Sequence, residues 1–90
     1  MDLEELKKFL KVDGNDLDVV LTGYQLAAEG YLQNAGVVKD YEKPLYKVAV
    51  TIIAGLFLEN PTLVGAKGSE GVGLTTNAII AQLRLSQVTT

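Results

Sequence analysis

The sequence of 90 residues contains no cysteine and no histidine. Without thiols the chain can form no disulfide, and without imidazoles or thiolates the usual zinc sites lose their main ligands. The absence of cysteine and histidine also leaves few side chains for nucleophilic or general acid-base catalysis. No pair of carboxylates falls on an apolar helix face. The sequence therefore predicts a protein that is not an enzyme and that uses no metal ion and no cofactor.

Positive charge is also scarce. Eight lysine and arginine residues stand against eleven acids, the net charge is −3, and Arg84 is the only arginine. Affinity for nucleic acid depends on Lys and Arg displacing counterions from the phosphates, so this balance disfavours a DNA-binding function. The alternative that stays open is a small helical DNA-binding or DNA-packaging accessory protein, whose second and third helices would form a helix-turn-helix. That function would need a polar, basic recognition helix.

No apolar run is long enough to cross a membrane. The longest, VAVTIIAGLFL at 48–58, falls short of the roughly 20 residues that a bilayer span needs. Acids follow Met1 at the positions where a secretory signal would carry positive charge, so we expect a soluble intracellular protein without membrane contact. Apolar residues nevertheless make up 48% of the chain, which is high for a small domain and predicts that some apolar surface is buried between copies.

Helical periodicity predicts an all-α fold, a small bundle of about four helices in a single domain spanning 1–90. The expected helices are about 2–11, 16–35, 42–60 and 76–85. Asp2 has the position of an N-cap for the first helix, and Asn15 or Asp16 that of a cap for the second. Pro44 suits a first turn, and Pro61 ends the third helix. A buried strand is the alternative for 48–58, because the segment is rich in β-branched residues.

Between the third and fourth helices lies a glycine-rich segment, 61–75, for which we predict a long flexible loop, and 86–90 is expected to be a loose tail. Gly68 and Gly73 have the spacing of a phosphate-binding loop. Leu74, however, occupies the position of the lysine that neutralises the phosphates, so we expect no nucleotide.

The third predicted helix is apolar almost all round, with a narrow polar stripe at Lys47, Thr51, Gly55 and Glu59. Such a helix is enclosed on most sides by its own fold or by neighbours. We therefore name candidate subunit-interface residues on it: Val50, Ile53, Phe57 and Leu58. Candidate assembly residues in the loop and tail are Gly65, Lys67, Gly68, Glu70, Gly71, Gly73, Arg84, Leu85 and Val88.

Five segments in order resemble the head-tail connector (adaptor) family of long-tailed phages. They are LEELKKFLKVD at 3–13, DLDVVL at 16–21, LAAEGYLQNAGV at 26–37, AVTIIAGLFLENP at 49–61, and IIAQLRL at 79–85 after a glycine-rich loop. Each segment alone is common, but the ordered set covers nearly the whole chain. The sequence is therefore similar to that family over most of its length.

The resemblance implies a structural, all-α viral protein of the virion's head-tail junction, assembled in the bacterial host cytoplasm. It implies a homo-oligomeric ring beneath the portal protein, for which a dodecamer is one size to test. Such a ring extends the DNA channel and docks the next tail component, a stopper or tail-completion protein. DNA would pass through without sequence-specific binding, which suits an acidic chain.

Overall fold

The computed structural model describes residues 1–65 and 74–88. Within these residues the chain forms α1 (Leu3–Leu10), α2 (Asp18–Asn34), α3 (Pro44–Glu59), a 3-10 helix (Pro61–Gly65) and α4 (Leu74–Val88). The described part of the chain contains no strand, and the predicted all-α bundle of four helices is confirmed. The segment 48–58 is helical, so the alternative of a buried strand is wrong.

The ends of α1 are closed as its sequence predicts. Asp2 is the N-cap, and its Oδ1 accepts a hydrogen bond from the Glu5 amide at 2.8 Å. At the other end Lys11 adopts a left-handed conformation with φ 58°, and its amide bonds back to the last turn. The Glu5 carboxylate is left free to reach α3, where it pairs with Lys47 Nζ at 3.0 Å. This pair links α1 to α3.

The start of α2 differs from the prediction. Leu17 holds the N-cap position and makes no side-chain cap bond, so the assignment of Asn15 or Asp16 as the cap is wrong. Instead Lys7 Nζ donates to Asn15 Oδ1 at 3.3 Å and lies 2.9 Å from Asp18 Oδ1. The Lys7 side chain is only 8% exposed, and a charge so enclosed must be paired. The hydrogen bond with Asp18 raises the pKa of Lys7.

Helix α3 is the centre of the bundle and packs against α1, α2, α4 and the 3-10 helix. Its contacts include an edge-to-face pair of Phe57 with Tyr24 of α2, whose ring centroids are 6.2 Å apart. The core consists of residues from every α-helix and one residue between helices: Leu6, Leu21, Ala28, Leu32, Val37, Tyr46, Ala49, Val50, Ile53, Ala54, Phe57, Ile80 and Leu83. Packing within the chain therefore accounts for most of the apolar circumference of α3, with Val48 left 42% exposed.

The segment after α3 is more ordered than the sequence predicts. Residues 61–65, expected in the flexible loop, form the 3-10 helix, and α4 begins at 74 rather than 76. Helix α4 also continues to 88, so the prediction of a loose tail is wrong for 86–88. Ser86 and Gln87 explain this extension, because both side chains bond to the segment between α2 and α3. The rest of the predicted loop and tail, 66–73 and 89–90, lies outside the described residues.

Candidate interaction surface

Three of the four residues predicted for a subunit interface on α3 lie in the core of the single chain. Val50, Ile53 and Phe57 are at most 1% exposed and belong to the core of their own chain. Leu58 is partly buried and packs against the same core. A partner could reach the first three only by opening the bundle, because α1, α2 and α4 already cover this helix. Any surface for a partner must therefore lie elsewhere.

The predicted assembly residues are distributed over three environments. Gly65 ends the 3-10 helix, whereas Lys67, Gly68, Glu70, Gly71 and Gly73 lie outside the described residues. Arg84 and Leu85 are exposed on α4, and Val88, which was predicted in the tail, is the last residue of that helix. The structure therefore does not bring these residues together into one surface within its described part.

An apolar concave surface lies between the C-terminal half of α2 and the segment that follows it. We call it the α2 groove; its volume is about 670 Å³. It is lined by Leu26, Glu29, Gly30, Gln33, Gly36, Val37, Val38 and Lys39. Leu26 is 63% exposed and Val38 is 69% exposed, so two large apolar side chains face solvent at its edges. The groove has the mixture of apolar walls and a few polar groups that is typical of a binding surface.

One wall of the groove is fixed by a network around Glu29. Its carboxylate accepts a short hydrogen bond from the Tyr41 hydroxyl, and Lys39 Nζ lies 3.5 Å from Glu29 Oε1. Gln25 Nε2 donates to the Tyr41 hydroxyl at 3.2 Å. Burial, followed by the bond to Glu29, raises the pKa of Tyr41. The hydroxyl therefore keeps its proton, and its bond to the Glu29 carboxylate, to a higher pH than an ordinary tyrosine would.

The opposite wall is fixed by α4. The backbone N–H of Val38 donates to Gln87 Oε1 at 2.9 Å, and Gln87 Nε2 donates to the Val38 carbonyl at 2.7 Å. Lys43 Nζ donates to Ser86 Oγ at 2.7 Å and joins the same two segments. Because one side-chain amide bonds to both backbone groups of Val38, this residue is tied to α4 and its side chain remains at the edge of the groove.

Gly30 lines the groove and, like Gly23 on the same helix, has open space among the described residues where a side chain would be. A Cβ atom placed on it would meet nothing within 4 Å, whereas one on Gly55 of α3 would lie 3.1 Å from Leu10 Cδ2. Glycine inside a helix costs about 1 kcal/mol relative to alanine. The close approach of Leu10 accounts for Gly55, but no contact within the described part of the chain accounts for Gly30.

The ionisable side chains that line the groove are Glu29 and Lys39. Among residues 1–65 and 74–88 no group of three or more acidic, histidine or cysteine residues is placed to hold a metal ion. No helix in that part of the chain is both long enough and apolar enough to span a bilayer. The groove therefore presents apolar surface, with the paired side chains of Glu29 and Lys39 on its lining.

The groove was not predicted from the sequence, although a signal for it exists. Leu26 does not belong to the apolar stripe of α2, and Phe9 does not belong to that of α1. Large apolar residues off the buried stripe of an amphipathic helix are exposed, and where they cluster they form a second apolar surface. The composition shows the apolar excess, but our prediction placed the interface on α3 and not at Phe9 or Leu26.

Comparison with known proteins gave no relative. No family model matches the chain, and no significant match was found among the curated proteins or the solved structures.

Proposed function

We propose that the protein is a structural subunit of the phage head-tail connector type, which assembles with copies of itself into a ring beneath the portal. In this function it extends the DNA channel and docks the next tail component. The ordered set of segments that resembles the connector family supports the proposal. The α2 groove is the structural observation on which it rests, since it provides a surface suited to another protein.

The groove supports a protein partner because it is apolar, exposed and already shaped. Leu26 and Val38 expose most of their side chains, and isolated exposed residues of this kind would carry little meaning. Here they flank one concave surface whose two walls are held by Tyr41 and Gln87. A surface fixed before binding loses little conformational entropy when a partner arrives. A stable interface needs roughly 800 Å² from each partner, so further contacts must surround the groove.

The self-association is tested by sedimentation velocity of the purified protein over a wide concentration range. The same preparation is then incubated with particles carrying the cognate portal and pelleted. We expect a concentration-dependent oligomer, or oligomers that form only on the portal. A protein that stays monomeric at every concentration and does not pellet with portal particles would contradict the proposal.

Duplex DNA provides the test of the alternative function. Connector subunits with a net charge of −3 should show no retardation of duplex DNA in a gel at low salt. A retardation that weakens steeply as salt is raised would favour a DNA-binding or DNA-packaging accessory protein instead.

A further inference from the structure

Helix α1 exposes an aromatic side chain, that of Phe9, which could fit the groove of another copy. Phe9 is 55% exposed, although phenylalanine is among the residues most often buried. The buried side of α1 is formed by Leu6 and Lys7, and Leu3 and Leu10 pack beside them. Phe9 therefore projects away from its own core. Aromatic side chains in this position are the usual anchors of protein interfaces.

The charges around the two surfaces are opposite in sign. Phe9 lies between Lys8 and Lys11, both exposed at the C-terminal end of α1. Glu29 lines the groove. The chain that forms the edge of the groove continues through two more acids, Asp40 and the exposed Glu42, and the basic residues of this segment are Lys39 and Lys43. Lys43 is engaged by Ser86, and Lys39 by Glu29. Two exposed lysines thus flank the aromatic residue. Near the groove Glu29 is already paired and Asp40 accepts a hydrogen bond from the Glu42 amide, so the exposed Glu42 carboxylate is the acid most accessible to these lysines.

The two surfaces lie at opposite ends of α3. Leu10, the neighbour of Phe9, reaches Gly55 in the C-terminal half of that helix. The groove lies at the other end, where Lys43 next to the start of α3 bonds the same α4 segment that holds Val38. One chain can therefore offer Phe9 to one neighbour and its groove to another. Contacts of this heterologous kind build rings when the rotation closes.

We infer that Phe9 of one copy inserts into the α2 groove of the next copy, with Lys8 and Lys11 facing the acidic edge. This contact rests on the proposed function and specifies its interface. This contact explains why residue 30 is a glycine, because the missing side chain leaves room for the aromatic ring on the groove surface. The occupant is a second copy of this chain, presented head to tail.

The absence of cysteine allows the contact to be tested by site-specific cross-linking. Two single variants, Lys8→Cys and Lys39→Cys, keep Phe9 and the exposed apolar residues Leu26 and Val38, while Lys39→Cys places a thiol on the lining of the groove. When they are mixed, a short bismaleimide reagent should give a cross-linked dimer. We expect little product from either variant alone and none when Lys8→Cys is mixed with Val19→Cys, because Val19 is 87% exposed but lies outside the groove. A dimer from Lys39→Cys alone would show that groove meets groove and would overturn the inference.

A pair of glycine variants separates the interface from the stability of the subunit. Gly30→Ala and Gly23→Ala both add a methyl group to α2 in open space, so each should raise the midpoint of thermal unfolding of the monomer by about 4–8 °C. Only Gly30→Ala fills the groove, and it should weaken association about tenfold. Equal association of the two variants would contradict the inference.

Phe9→Ala completes the test and distinguishes the two proposals. Because Phe9 is exposed, circular dichroism should show an unchanged fold, while sedimentation should show association weakened by at least about tenfold. If oligomers form as before with this variant, the inference fails and the proposed function stands. If the wild-type protein forms no oligomer with or without portal, both fail.

Discussion

Gly36 follows α2 with a φ of 90°, a conformation that side chains with a Cβ rarely adopt. Arg84 of α4 lies over it, so an added Cβ would be 3.3 Å from Arg84 Nε. We expect Gly36→Ala to lower the free energy of unfolding by about 1–2 kcal/mol, measured by urea denaturation.

A second glycine provides the control for this variant. Gly14 also has a positive φ, 78°, but an added Cβ would meet nothing within 4 Å. Gly14→Ala should therefore show the backbone cost alone, and the difference between the variants reports the contact with Arg84. Wild-type stability in Gly36→Ala would contradict the expectation.

Tyr46 is another residue whose properties are set by the fold. It is 1% exposed, and its ring meets that of Tyr41 edge to face with centroids 5.0 Å apart. Burial, together with the nearby Glu29 carboxylate, raises the pKa of Tyr46 to about 12. Ionised Tyr46 would place a negative charge in the core, near the negative charge of the Glu29 carboxylate.

This pKa predicts how stability depends on alkaline pH. Tyrosine in the unfolded chain ionises near pH 10, about two units below Tyr46 in the fold. Between these values the folded state binds more protons than the unfolded state, so the free energy of unfolding must fall as pH rises. The fall between about pH 10 and 12 should be smaller in Tyr46→Phe, as measured by urea unfolding along a pH series. Identical falls in the two proteins would refute the assignment.

At the scale of elements, α4 depends on a small number of buried side chains. Among the side chains of α4 that the structure describes, only Ile80 and Leu83 are buried, and Leu83 is completely inaccessible. The polar bonds of Ser86 and Gln87 fasten its last turn but contribute only modestly, because each replaces a bond with water. The attachment of α4 should therefore respond strongly to a change at Leu83.

We expect Leu83→Ala to lower the free energy of unfolding by about 2–5 kcal/mol, since it leaves a cavity against α3. Leu85 lies on the same helix but is 66% exposed, so Leu85→Ala should change stability by no more than about 0.5 kcal/mol. Urea denaturation at low protein concentration measures both. A comparable loss in the two variants would show that Leu85 also packs against the bundle.

At the scale of the whole molecule, assembly should appear as added stability. A partner that binds only the folded subunit stabilises it by an amount that grows with concentration, about 2.7 kcal/mol at a hundredfold excess over Kd. The midpoint of thermal unfolding should therefore rise with protein concentration in the wild type. It should stay nearly constant in Phe9→Ala, which removes the inferred anchor. A midpoint independent of concentration in the wild type would count against self-association in solution.

The positions of α1 and α3 could be predicted from the sequence because the features that determine them are local. The spacing of Leu3, Leu6 and Leu10, the cap at Asp2, and the stop at Pro61 act within one or two turns. These features determined that the chain is all-α and where α1 and α3 lie. The ends that were wrong, at the start of α2 and in α4, depend on partners distant in sequence, such as Lys7 for Asp18 and Gln87 for Val38.

The tertiary structure alone decided which apolar surface stays exposed. The sequence showed an apolar excess, and α3 has the largest share of it, but periodicity cannot tell a helix enclosed by its own chain from one enclosed by neighbours. Packing of α1, α2 and α4 around α3 buries Val50, Ile53 and Phe57 and leaves Phe9, Leu26 and Val38 outside. The physical reason is that burial depends on which helices pack against each other, and this packing consists of contacts between residues far apart in the chain.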